Sequence, residues 1–311
     1  MHKVSVIIPA YNCQDYIQAT IDSVINQTYP KEWIEVIIVN DGSTDNTASI
    51  INRYQKDFKI IHTQNRGVSH ARNKGLEYAT GDFIQYLDSD DILIPNKIEI
   101  QVKALTESSG DVAYGNWQKF IEQNNAFKIT ETVARKIEGN AEIALFTDFW
   151  CPPAALLYSK KIVEKTGPWK EWLPIIQDAR YFLDAALQGG QFIYTNETVA
   201  LYREGNPRSL SNQKFNFVLD CYHNAVDISN HWKIFENSDK SLEKEAVISC
   251  LRSCINSFSR LNDRYFEEAI DFLLKIEPKY KPKEAGLLRI FSILIGYKNT
   301  EKIARYKRKL A

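Results

Sequence analysis

The chain of 311 residues has no surplus of either charge, since thirty-nine Lys and Arg balance thirty-nine Asp and Glu. Without a net field, nothing global draws it to nucleic acid or to acidic substrates. Paired cysteines are also lacking. The five cysteines show no short paired spacing, and Cys250 and Cys254, four apart, suit one buried helix face better than a zinc site. An odd count with no disulfide framework fits a reducing, cytoplasmic setting. No uninterrupted apolar run reaches the roughly 18 residues of a membrane span. The opening MHKVSVIIPAYN is apolar but too short for a signal peptide, and Pro9 and Asn12 interrupt it. At 44% hydrophobic the chain can still bury a sizeable core, and its length suits one large domain with an appendage.

What is present is an alternation of periods. VSVII, IEVIIV, FKIIH, DFIQYL and DVAYG, all within the first 115 residues, are rich in β-branched and aromatic side chains and predict short strands. Between them lie helical patterns. In QDYIQATIDSVINQ the residues Ile17, Ile21, Val24 and Ile25 recur at helical spacing behind a candidate cap, Asn12. Asp45 can cap a helix running to Tyr54, and Pro95 suits the first turn of one running to Leu105. Five strands alternating with four helices predict an α/β fold with a mostly parallel sheet covered on both faces.

In such sheets ligands bind beyond the carboxyl ends of the strands. The segments just past the strands are Pro9-Ala10-Tyr11-Asn12, Asn40-Asp41-Gly42-Ser43, Asn65-Arg66-Gly67 with Arg72 and Asn73 beyond, and Asp88-Ser89-Asp90-Asp91. One edge thus collects an aromatic ring, carboxylates, a guanidinium and glycines that let backbone approach closely. An aromatic face can stack a base and a carboxylate can accept its N–H. An arginine balances phosphate charge, and paired aspartates hold a divalent cation. This edge reads as a nucleotide site.

The stretches VSVIIPAYN, VIIVNDGSTDNT, NRGVSHARNKGLEYATGDFIQYLDSDD and IIQDARYFLDAALQGG resemble family 2 glycosyltransferases of the GT-A fold. The resemblance is continuous over about residues 3 to 105 and intermittent to about residue 212. It implies a GT-A domain over 1–212, with a nucleotide-binding half at 1–115 and an acceptor-facing half at 116–212, and stops before the region 213–311, whose period alone predicts helices. It implies inverting transfer of a sugar from a nucleotide-sugar, commonly UDP-linked, with Mg²⁺ or Mn²⁺, to a glycan or lipid-linked glycan of surface polysaccharide assembly. Asp88 and Asp90 are then the metal and ribose–diphosphate contacts, Asp41 and Tyr11 the base contacts, and Arg72 a donor-facing cation.

Each of these residues has a plainer reading as well. Asp91 can cap the following helix, Asp41 can close an Asx-turn, Tyr11 can pack on the first helix, and Arg72 can be a solvated helix charge. His70 reads as surface. A calcium loop beginning at Asp88 fails because Ile92 and Leu93 stand where a ligand and a glycine are required. The phosphotransferases of haloacid-dehalogenase type also place Asp-x-Asp after a strand, but on the first strand rather than the fourth.

Asp178 matches the family's catalytic base, with Gln177 standing where Glu is usual; position alone would also allow a helix cap. In LYREGNPRSLS, Arg203 is retained, and Asn206 occupies the place of a His that completes the metal site in relatives. An amide oxygen still suits a hard cation. Arg203 and Arg208 steady the diphosphate or close a loop over it, or they are surface charges. The replacements at Gln177 and Asn206 leave a second reading, a nucleotide-sugar-binding protein without turnover. Four of the six tryptophans, Trp117, Trp150, Trp169 and Trp172, lie in the acceptor-facing stretch. Trp150, beside a double proline, is the best acceptor platform.

From about residue 213 the pattern becomes helical. GLLRIFSILIGYKNTEKIARYKRKLA joins an apolar stretch to a tail in which Lys298, Lys302, Arg305, Lys307, Arg308 and Lys309 oppose Glu301, six minus one, or net +5. Residues 286–311 are either an amphipathic contact with the inner face of a membrane or a core helix with a solvated basic end.

Overall fold

The computed structural model describes all residues except 124, 125, 208, 237–239, 284, 285 and 311, and only the backbone at 211, 309 and 310. Its contacts divide the chain into two compact units, Met1–Ser209 and Leu210–Ala311.

The first unit is built on one sheet. In chain order its elements are β1 (Val4–Ala10), α1 (Ile17–Ile25), β2 (Ile34–Asp41), α2 (Thr47–Ile51), β3 (Lys59–Thr63), α3 (Val68–Leu76), β4 (Phe83–Tyr86), β5 (Ile92–Leu93) and α4 (Lys97–Ser108). There follow β6 (Val112–Gln123), β7 (Ala126–Val133), α5 (Ala141–Thr147), β8 (Leu156–Ser159), α6 (Lys160–Thr166), α7 (Gln177–Leu187) and β9 (Phe192–Arg203). The strand order is β3-β2-β1-β4-β8-β6-β9-β5, with β7 beside β6.

All seven residues of β1 are buried, as a strand covered on both faces requires. The sheet is parallel from β3 to β4. It then departs from the simple alternation that the sequence predicts. DVAYG begins β6, but β6 is not the neighbour of β4. The four-residue β8 enters between them, antiparallel to both. A short apolar run carries no mark of its partner, so periodicity alone cannot place such a strand.

The helix starts also differ from expectation. Asn12 does not cap α1; at φ +47° its Oδ1 instead accepts the Thr44 N–H at 2.8 Å, tying the loops after β1 and β2. Asp45 Oδ1 accepts the Thr47 N–H at 2.9 Å, and α2 ends at Ile51, with a 3-10 turn continuing to Tyr54. Pro95 stands just outside α4, whose cap is Asn96.

The second unit comprises α8 (Lys214–His231), α9 (Ser241–Leu261), α10 (Asp263–Ile276), α11 (Leu287–Ile295) and α12 (Tyr297–Leu310). Leu251, Phe258, Phe266, Ile270 and Leu273 form its core. The basic tail is not a free patch. Lys298 pairs with Glu267 and Asp271, Lys302 with Glu267, Arg305 with Asp263, and Arg308 with Glu301. The side chain of Lys309 lies outside the described residues. By contrast α11 is barely covered: Leu287, Ile290, Phe291, Ile293, Leu294 and Ile295 are exposed. No helix among the described residues is long and apolar enough to cross a membrane.

One glycine tests the packing of the nucleotide-side layer. A Cβ on Gly75 of α3 would lie 2.5 Å from Ile7 Cγ2 and 3.3 Å from Val39 Cγ2, against two β-branched side chains with little freedom. Gly75→Ala should therefore destabilise the chain by about 1–3 kcal/mol, the usual cost of overpacking. A urea-unfolding midpoint equal to that of the parent would show that α3 shifts without strain.

Candidate functional site

The parallel register brings the carboxyl ends of β1 and β2 into line. Ala10 pairs with Asn40, so Tyr11 and Asp41 are the next residues at one sheet edge. Tyr11 is half exposed, leaving its ring available, whereas Asp41 is buried. Asp41 organises the loop between β3 and α3. Its Oδ1 accepts from Arg66 N at 3.0 Å and Thr63 Oγ1 at 3.2 Å, and its Oδ2 accepts from Gly67 N at 2.8 Å. Gly67 has φ +95°, where a side chain would be strained.

Arg72 is no solvated helix charge. It is 1% exposed, with its guanidinium 4.1 Å from the centroid of Trp169 and paired with the carboxylate of Asp88. Trp169 stacks in turn on Tyr181, at 4.1 Å and 2° between planes. Asn73 locks the arrangement across 96 residues: its Nδ2 donates to Trp169 O at 3.0 Å, and Trp169 N donates to its Oδ1 at 2.7 Å. Arg72 Nε and Nη1 are buried and have no hydrogen-bond partner among the described residues. Buried charged donors left in that state are costly, and an incoming anion would satisfy them. His70, read as surface, meets Glu171 Oε1 at 3.2 Å.

The aspartate loop divides its work. Asp91 is not the cap of α4. It is buried, and its Oδ1 accepts the backbone N–H of Arg203 at 3.0 Å, which ties the loop to the end of β9. Asp90 accepts from Asn206 Nδ2 at 2.7 Å, and burial, assisted by the charge of Asp88, pushes its carboxyl above the ordinary range. Arg203 is buried, which excludes the surface reading. Its Nε donates to Asp90 O at 3.0 Å, its Nη1 donates to Glu122 Oε2 at 3.0 Å, and the rings of Tyr16 and Phe120 lie 4.5 and 4.6 Å from its guanidinium. It braces the loop from behind. Arg208 lies outside the described residues.

Asp88 and Asp90 offer hard oxygen donors of the kind that Mg²⁺ and Mn²⁺ prefer, and such ions commonly take one or two carboxylates together with substrate phosphates. No cluster of three or more His, Cys, Asp or Glu suited to a metal occurs among the described residues. The residues therefore fit an ion shared with a ligand rather than an all-protein cage. Asn206 presents its amide nitrogen to Asp90; a half-turn about its last bond would present the oxygen instead.

Asp178 is in the first turn of α7 rather than at its cap, which is Ile176. Its Oδ1 accepts the Ala179 N–H at 2.8 Å and its Oδ2 accepts the indole N–H of Trp150 at 2.9 Å. Burial raises its carboxyl above the usual range, opposed first by the charge of Arg72. The antiparallel entry of β8 explains why Trp150 is nearby. Ile84 pairs with Tyr158, so the residues before β8 run past the carboxyl end of β4, where Pro153 O accepts from Gln85 Nε2 at 3.1 Å. Asp184, in contrast, is committed to Arg180 at 2.8 Å.

Of the four tryptophans, Trp117 and Trp169 are buried and Trp172 is exposed. Sequence reasoning missed Trp169 as the platform for Arg72. It also missed Tyr202, whose hydroxyl is pushed above its ordinary range by burial and by the charges of Asp91, Asp178, Asp88 and Asp90. Tyr202 directly precedes Arg203, and that adjacency was the one available signal.

Residues 5–167 match the family described as glycosyl transferase family 2. The chain is 38% identical over 128 residues to glycosyltransferase GlyA of Streptococcus pneumoniae, covering 40% of this chain and 18% of that protein. It is 36% identical over 224 residues to the Escherichia coli UDP-Glc:α-D-GlcNAc-diphosphoundecaprenol β-1,3-glucosyltransferase WfaP, covering 70% of this chain and 84% of that protein. The chain spans 18 to 30% of the length of the first curated relatives it matches. Among solved structures, S. aureus TarS 1-349 in complex with UDP-GlcNAc superposes with TM-score 0.69 at 19% identity, covering 99% of this chain and 92% of that one.

Proposed function

Because the chain belongs to glycosyl transferase family 2, we propose that it is an inverting glycosyltransferase carrying a sugar from a nucleotide-sugar to a glycan or lipid-linked glycan of surface polysaccharide assembly. The sheet and its flanking helices form a GT-A fold. The observation that carries the proposal is Arg72: buried, stacked on Trp169, paired with Asp88, and left with two unpartnered N–H groups. That is a seat for a diphosphate, within electrostatic reach of the carboxylate of Asp178. The name of WfaP supports a UDP-linked donor and a lipid-linked acceptor.

In this proposal Tyr11 stacks the base and Asp41 accepts its N–H, both at the edge after β1 and β2. Arg72 neutralises charge on the leaving diphosphate. Asp178 takes the proton of the acceptor hydroxyl as its oxygen attacks the anomeric carbon from the face opposite the diphosphate. Its raised pKa makes it a stronger base than an ordinary carboxylate, and proton transfer late in the reaction asks no more of it. Asp88 and Asp90, with the amide of Asn206, would hold Mn²⁺ or Mg²⁺, which supplies Lewis acidity toward the diphosphate. Arg203 acts on the diphosphate indirectly, by fixing the carbonyl of Asp90.

The lipid contact is assigned to 286–311, at the inner face of the cytoplasmic membrane, and within that segment to α11. Its six exposed apolar residues cover one side without a charge, Arg289 lies at the margin, and Lys279 and Lys281 precede it. An apolar face with a basic border suits an anionic lipid surface, where a lipid-linked acceptor would reside. The basic side chains of α12 do less than the sequence suggests, since four pair with acidic residues of the same unit.

Asp178→Asn should leave donor binding unchanged while turnover falls by about 10²–10⁴-fold, the range for a lost general base; turnover equal to the parent would remove Asp178 from the mechanism. UDP with Mn²⁺ at about 100 times its dissociation constant should add ~2.7 kcal/mol of stability, and the shift should vanish with chelator. An undiminished shift in chelator would disprove the metal, and none at all with UDP would point to another donor. Finally, Leu287→Ser/Leu294→Ser should abolish sedimentation with phosphatidylglycerol vesicles; failure of the parent chain to sediment would end the lipid assignment.

A further inference from the structure

Trp150, which the sequence offers as an acceptor platform, has a definite partner in the structure. Its indole N–H donates to Asp178 Oδ2 at 2.9 Å, while the other carboxylate oxygen accepts from Ala179 N at 2.8 Å. The carboxylate is therefore pinned at both ends. The indole is pinned as well. Trp117 on β6 and Tyr202 on β9 meet it edge-to-face at 5.4 and 5.5 Å, and they meet one another at 5.6 Å. Because β6 and β9 pair in register at Trp117 and Ala200, the clamp rests on the sheet itself. On the other side, Pro152 and Pro153 limit the backbone that carries the ring, and Cys151 between them and Trp150 is buried.

We propose that Trp150 is the positioning residue for the base, holding the carboxylate of Asp178 at one rotation so that its free lone pairs face the acceptor hydroxyl; this rests on the assignment of Asp178 as base. The chemistry of the donor matters. An indole N–H is a donor only and carries no charge. It can orient a carboxylate without pairing with it as a counter-ion, and it cannot take the proton meant for that carboxylate. A lysine or arginine in its place would fix the geometry and depress the basicity together.

Removing the N–H has a signed consequence. A hydrogen bond to the charged form lowers a carboxyl pKa, so its loss raises the pKa, and the acid limb of the rate profile moves to higher pH. The other ionisable groups facing Asp178 are Arg72 from α3, Asp88 after β4, Cys151 and Tyr158 from the segment around β8, and Tyr202 from β9. All are retained in Trp150→Phe, which keeps a ring between Trp117 and Tyr202.

In the full chain, Trp150→Phe should lower kcat by roughly 10- to 100-fold, in line with a misplacement of about 1 Å. The donor KM should stay within about twofold and the acid limb should move upward, because the lost bond favoured the charged carboxylate. Trp150→Gln, whose amide N–H is likewise an uncharged donor with no basic nitrogen, should recover part of the loss. An unmoved acid limb with kcat near the parent value would overturn the proposal. A second measurement needs no folded Trp150 variant. In the parent chain, the indole N–H resonance that Asp178→Asn displaces should titrate along the acid limb, and a resonance indifferent to pH there would also overturn it. Full activity in Asp178→Asn would instead remove the base reading beneath it, whereas an inactive Asp178→Asn beside an unaffected Trp150→Phe would sink this inference alone.

Discussion

The arrangement depends on one buried guanidinium. Asp88, Asp90 and Asp91 stand within four residues of one another, and Asp178 adds its field to theirs. Two like charges 4 Å apart repel by about 4 kcal/mol at an effective dielectric of 20. Two arginines offset that repulsion. Arg72 meets Asp88 from the front, and Arg203 holds the carbonyl of Asp90 and the carboxylate of Asp91 from behind. The two are buried in similar fashion, each guanidinium lying against aromatic rings. They differ in what is left over. Arg203 is tied to a carbonyl and a carboxylate, whereas Arg72 keeps two buried N–H groups without partners among the described residues. Structure and readiness for an anion are thus divided between two arginines.

The second constraint is topological. Had the chain continued the parallel alternation of its first half, β6 would lie beside β4 and nothing from the 150s would reach this edge. Insertion of β8 in the antiparallel sense turns the segment before it back over the carboxyl end of β4. Two buried side chains of α4 hold the junction: Lys97 Nζ donates to Leu156 O at 2.9 Å and Gln101 Nε2 to Ala155 O at 2.9 Å. Burial drives the amine of Lys97 well below its ordinary pKa, and its hydrogen bond to Leu156 O fixes it at the junction. In this way a short strand with no distinctive sequence joins the parallel strands β1–β4 to β6 and β9.

The distinction between local and distant signals also explains how much the sequence told. Tyr11, Asp41 and the aspartate loop were legible because they lie at or just past the ends of strands whose apolar runs are strong. The same rule read the motif around Arg72. What stayed hidden is what depends on pairs far apart in sequence. Trp169 meets Asn73 across 96 residues and Trp150 meets Asp178 across 28, and no period or turn residue announces either. The buried state of Arg203 was hidden for the same reason, since Glu122, Tyr16 and Phe120 lie far from it along the chain. In the last helices the charge count misled: net charge along the tail says nothing of acidic partners on α10, and the exposed face belongs to the apolar α11 instead.

The charge balance at the edge bears on what must accompany a donor. Four carboxylates, Asp88, Asp90, Asp91 and Asp178, face two guanidinium groups, and one of those is shared with Glu122. A diphosphate brings further negative charge into a region where burial already raises Asp90, Asp91 and Asp178 above their ordinary range. Arg72 can offset part of that charge through its two unpartnered N–H groups while Nη2 stays on Asp88. A divalent cation held by Asp88 and Asp90 would offset the remainder. The separation of tasks arises from this. In the proposed reaction cations would handle the leaving group, while Asp178, which as the base must keep its basicity, meets a neutral indole and a backbone N–H.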